Sequence, residues 1–80
     1  MFVRIEKKHM RKPEWWWVDQ IVRNREALGN RLGILPANTR LIVSRKYSGL
    51  TVSGQLCGKC GVILIISRVK FRDLELEEKT

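Results

Sequence analysis

The residues PEWWWVDQIVRNREALGN, Pro13 to Asn30, settle whether the first half of this 80-residue chain is built on a helix. Pro13 suits a first helical position and Glu14 suits the positive end of the helix dipole. Gly29 and Asn30 supply a stop. Stepping about 100° per residue from Trp15 gathers Trp17, Val18, Ile21, Val22 and Leu28 into one sector, broken only by Arg25, with Trp15 at its edge. The pattern predicts a core-facing amphipathic helix with Trp15 and Trp17 packed inward. Trp16 falls on the opposite side with Gln20, Arg23 and Ala27, which predicts an exposed ring. Residue preference by itself does not separate this helix from a strand over Trp15–Val18, because Trp and Val both favour extended chain.

On either side of this segment the period is two. Phe2 to Lys7 alternates, with Val3 and Ile5 on one side and Arg4 and Glu6 on the other, as in a half-buried strand. After Leu35–Asn38 three extended segments follow: Thr39 to Arg45, Leu50 to Leu56 and the β-branched run Val62 to Phe71. Tyr47-Ser48-Gly49 reads as the turn between the first two, and Cys57 to Gly61 as the turn before the third. Asp73 to Glu77 alternates again through Leu74 and Leu76, as an added strand past a bulge. The order strand, helix, strand, strand, strand predicts an α+β fold, a small antiparallel sheet of about four strands in β-α-β-β-β order with one amphipathic helix on a face.

The length allows one domain, spanning 1–80. Apolar residues make up 44% of the chain, enough for a core. The apolar stretch Val62 to Ile66 is too short to cross a bilayer or to serve as a secretory signal, so the expectation is a soluble, cytoplasmic protein. A core of this size gains from an added staple, such as a disulfide, a metal or self-association.

Charge supplies the main functional cue. The chain carries 16 Lys+Arg against 8 Asp+Glu, a formal net charge of +8. From Met1 to Lys46 the count is 11 against 4, or +7, whereas Tyr47 to Thr80 has 5 against 4, or +1. Arg4, Lys7, Lys8, Arg11 and Lys12 are opposed within their own stretch only by Glu6. A concentrated cationic stretch attracts a polyanion, since neutralising phosphates releases condensed counterions. The predicted phosphate contacts are Arg4, Lys7, Lys8, Arg11 and Lys12, with Arg40, Arg45 and Lys46 flanking the second strand. Arg23, Arg25 and Arg31 extend the patch. Trp16 and Tyr47 are the candidate stacking rings for single-stranded DNA or RNA bases. No basic helix of the recognition type is present, so backbone contact is expected rather than base reading in the major groove. The plainer account is that Lys and Arg keep a small protein soluble and that the tryptophans fill a core or a dimer contact.

Cys57-Gly58-Lys59-Cys60-Gly61 has the form of a zinc knuckle, in which two thiolates from a tight turn face the metal. One chain offers only this pair and a single histidine, His9, so a tetrahedral site needs Cys57 and Cys60 from each of two chains. One expectation is therefore a zinc shared within a homodimer. A redox dithiol and two unreacted thiols are the competing readings. No phosphate-cradling Gly-rich loop, nucleophile elbow or acid–base pair is evident. The leading function is a small basic nucleic-acid-binding protein with a regulatory or accessory role. An inhibitor or adaptor for an acidic protein surface would carry the same patch, and a small toxin-type RNase using Arg and Lys to stabilise developing charge is the enzyme-class alternative.

Overall fold

The computed structural model describes residues 1–31, 33–55 and 63–78. In these the chain is mostly β. The elements are β1 (Phe2–Arg4), α1 (Lys7–Met10), α2 (Glu14–Trp17), β2 (Ile21–Asn24), β3 (Leu28–Asn30), β4 (Gly33–Leu35), β5 (Arg40–Lys46), β6 (Leu50–Gln55), β7 (Ile63–Val69), a 3-10 turn (Phe71–Asp73) and β8 (Leu74–Glu77). A six-stranded antiparallel sheet runs in the order β1-β8-β2-β5-β6-β7, and β3 and β4 form a separate hairpin. No helix among the described residues is long and apolar enough to cross a membrane.

The expected α+β fold, with four strands and one long helix, is thereby overturned. Helix begins close to where the sequence suggests, at Glu14 with Pro13 as its extended N-cap, but lasts only one turn. Val18 turns extended and Asp19 adopts a left-handed conformation with φ 70°, which Asp tolerates better than β-branched or bulky residues. The chain then pairs with β5: the Asp19 amide donates to the Val43 carbonyl at 2.8 Å and the Val43 amide to the Gln20 carbonyl at 2.9 Å. From Ile21 on the period is two, with Val22 and Asn24 buried and Ile21 and Arg23 on the other face. Gly29 and Asn30 lie within β3 and do not end a helix. The expected strand at Phe2–Lys7 also shortens, because Lys7 starts α1.

The inner face of the sheet carries Val22, Leu41, Val43, Leu50, Val52, Leu64, Leu74 and Leu76, closed over by Trp17 and by Leu35 of the hairpin. Gly54 occupies an inner position where a Cβ would collide with the Leu41 Cδ2 and crowd the Leu35 side chain. Its missing side chain lets the hairpin settle on the sheet.

Asn24 is the one buried polar side chain among the described residues. Its amide donates to the carbonyls of Glu26 and Pro36, both at 2.8 Å, with a longer 3.3 Å contact to Leu35, and its Oδ1 accepts the Thr39 amide at 2.8 Å. One side chain thus ties both ends of the excursion between β2 and β5. Asn24→Ala leaves several of these groups buried without partners and is expected to cost about 3 kcal/mol, read from urea midpoints. A loss below about 1 kcal/mol would show that water or relaxation replaces the clamp.

Candidate functional site

The cationic segment is held in place by contacts from outside itself. α1 is one turn, opened by the Glu6 amide donating to His9 Nδ1 at 3.0 Å. A four-residue helix has little stability of its own, so tertiary contacts must fix it. Trp17, fully buried, donates from Nε1 to the His9 carbonyl at 3.0 Å. Lys46, at the end of β5, reaches the same segment: its Nζ donates to the carbonyls of Met10 at 2.6 Å and Lys12 at 2.7 Å, and its amide to Glu14 Oε2 at 3.1 Å. The ammonium sits where a helix end leaves carbonyls unpaired, a favourable place for a cation.

Between these anchors Lys7, Lys8, Arg11 and Lys12 all lie exposed. Among the described residues Lys8 alone of the four has an acid within ion-pair range, Glu6 at 3.8 Å, and both partners are well exposed, so water and salt screen that pair. Lys12 Nζ lies 5.7 Å from the centre of the Trp16 ring, which also stacks on His9 at 6.2 Å and meets Trp17 edge-on at 5.0 Å. Trp16 is half-buried, contrary to the expectation of a free ring, and Trp15, expected inside, is 77% exposed. A one-turn helix followed by extended chain does not sort its side chains by the wheel of a long helix. Tyr47, at the hairpin turn, is 76% exposed.

The remaining predicted contacts do not join this group. Lys46 spends its ammonium on two carbonyls and is a positioning residue for the segment. Arg45, its neighbour, is exposed and leads away on the other side of β5. Arg40 lies across the sheet within 3.4 Å of Glu77. Arg4 stands opposite Glu75 in the β1–β8 register and lines a separate concavity with Arg25 and Arg72. Arg23 pairs with Glu75 at 2.7 Å and lies over the Phe2 ring at 4.6 Å. Arg72 was missed in the sequence, where nothing local marks it. Cys57 and Cys60 lie outside the described residues; among the described ones no group of three or more His, Cys, Asp or Glu is placed to hold a metal.

The outer face of the sheet is different in character. Ile21 and Ile42 are register partners, and Ile42, Ile63 and Ile65 are 47%, 63% and 60% exposed. With Arg40, Ser53 and Gln55 these strands form an open concavity of about 630 Å3.

The role of Lys46 can be separated from phosphate contact. Lys46→Met keeps the apolar stem but loses two charge-assisted bonds, and is expected to lower stability by about 2 kcal/mol by thermal or urea unfolding. A variant as stable as the parent would mean that the two carbonyls are as well served by water.

No known family, curated protein or solved structure matches the chain.

Proposed function

We propose that this protein binds single-stranded nucleic acid through its phosphate backbone, using the segment Lys7, Lys8, Arg11 and Lys12. The observation that carries the reading is that four exposed cations stand on a pinned segment and, of the acids at its ends, Glu6 reaches only Lys8, at 3.8 Å, while Glu14 accepts the Lys46 amide. Pinning matters because a fixed array of charges loses less side-chain and backbone freedom on binding than a mobile tail. The exposed Trp15 ring offers a face for an unstacked base, and the half-buried Trp16 lies beside it with Lys12 5.7 Å from its ring centre. Helices of one turn cannot lie along a major groove and read it, which favours single strands over duplex. In this reading the working compartment is the cytoplasm, where Cys57 and Cys60 stay reduced.

Mobility shifts with single-stranded DNA, single-stranded RNA and duplex probes over a range of salt concentrations test it. Log affinity for the single strands should fall linearly with log salt, and duplex should bind more weakly. Absence of salt-dependent binding to any probe would reject the reading, and would favour an acidic protein surface as the partner.

The proposed binding unit is a dimer joined through the outer sheet face. On a chain of net charge +8 the positive charge of this face is reduced, since Arg23 and Arg40 pair with Glu75 and Glu77. Two copies can therefore meet over the exposed isoleucines with less charge repulsion than over the cationic segment. Ile42→Lys, at an exposed position, should give a folded monomer by light scattering; a parent chain that is already monomeric at NMR concentrations contradicts the dimer.

A further inference from the structure

Three arginines far apart in sequence meet at one end of the sheet because β8 lies between β1 and β2. Arg4 ends β1, Arg25 follows β2, and Arg72 sits in the 3-10 turn that leads into β8. The turn is fastened to the β2 end by the Arg25 amide, which donates to the Asp73 carbonyl at 2.9 Å, and by Arg25 Nη1, which reaches the Arg72 carbonyl at 3.3 Å. Together Arg4, Arg25 and Arg72 line a concavity of about 250 Å3 floored by Ile5, Met10 and Phe71. They also line the adjoining outer hollow of about 360 Å3, which adds Glu26 and Asp73. Among the described residues none of the three guanidinium groups has a carboxylate within ion-pair distance.

We infer that this concavity is a binding site for a single phosphate monoester group, separate from the segment proposed to hold the nucleic-acid backbone. Guanidinium groups present paired N–H donors that match phosphate oxygens, and three of them together suit a dianion better than a singly charged diester. The three arginines are exposed, and the apolar floor shields a bound group from water on one side only. Glu26 and Asp73 line the adjoining outer hollow and not the concavity itself, and there they oppose further negative charge, so the site fits a phosphate at a chain end or on a small molecule and disfavours the middle of a polyphosphate chain. None of the residues involved except Arg4 belongs to the group that sequence alone assigned to polyanion binding as a primary contact.

The test follows arginine Nε–H signals by NMR as inorganic phosphate is added, with sodium chloride at matched ionic strength as the control. Arg4, Arg25 and Arg72 should shift in a saturable way. Arg25→Gln and Arg72→Gln should each weaken phosphate about tenfold or more, Glu26→Gln should tighten it, and Lys12→Gln should leave it unchanged. Adenosine monophosphate and oligonucleotides with and without a 5′-phosphate identify the source. A gain from the 5′-phosphate that Arg72→Gln abolishes points to a nucleic-acid end, and saturation by phosphate or the mononucleotide without that gain points to a small phosphorylated ligand. Non-saturable shifts, or Gln variants that titrate like the parent, overturn the site. Because Lys12→Gln weakens the backbone segment only, failure of that segment and failure of this site are told apart.

Discussion

Replacing Lys7, Lys8, Arg11 and Lys12 together by Gln is expected to flatten the slope of log affinity against log salt by about 3 units for a single-stranded probe, at roughly 0.7 for each phosphate no longer neutralised. If the parent and variant lines meet near 1 M salt, that slope change corresponds to about 300-fold weaker binding at 0.15 M. All four side chains are exposed and none supports the core, so the variant should unfold at nearly the same urea concentration as the parent. An unchanged slope would remove the segment from the binding surface. Weaker affinity at an unchanged slope would mean that the substitutions act on shape and not through phosphates.

The second large effect concerns the residue that joins this segment to the core. Trp17→Ala should cost about 4 kcal/mol, the range for emptying a large aromatic site. The ring is fully buried, meets Trp16 edge-on at 5.0 Å and Phe71 at 5.5 Å, and its Nε1 holds the His9 carbonyl. For a domain whose whole stability is about 5–15 kcal/mol, that loss brings the chain near the unfolding limit. Trp17→Phe separates the two roles of the side chain. It keeps most of the packing and loses the bond to His9, so a cost of about 1–2 kcal/mol is expected. Calorimetric or urea unfolding of both variants checks the prediction; equal costs for Ala and Phe would mean that the hydrogen bond, and not the filled volume, dominates.

The parts of the fold that were legible in the sequence are those where one periodicity is unambiguous. Leu41 and Val43, Leu50 and Val52, and Leu74 and Leu76 alternate with outward residues, and each pair lies buried on the inner face of a strand. Trp15 to Leu28 misled because Trp17, Val18, Ile21 and Val22 satisfy a helical wheel while Ile21 to Asn24 also satisfies a strand. The decision between them came from pairing with Val43, a long-range contact that outweighs local preference. The β3–β4 hairpin was hidden because Leu28 and Leu35 lie close to Gly29 and Gly33, which read as punctuation.

For the site, composition located the cationic segment but not what fixes it. The Lys46 ammonium binds carbonyls 34 and 36 residues away, and no pattern in the sequence distinguishes such a lysine from a solvated one. Arg4, Arg25 and Arg72 converge only because the last strand inserts between the first two strands of the sheet. Charge balance separated Arg40 from the cationic group in the same way, since its partner Glu77 belongs to a strand remote in sequence.

The most direct test is the footprint of a short single-stranded oligonucleotide on the amide and side-chain NMR signals of the intact protein. Shifts that saturate at Lys7 to Lys12 and at the Trp15 and Trp16 rings, and that shrink as salt is raised, are the predicted result. Shifts confined to the outer face around Ile42 and Ile65, or no saturable shift at any probe concentration, would contradict the assignment of this segment as the nucleic-acid surface.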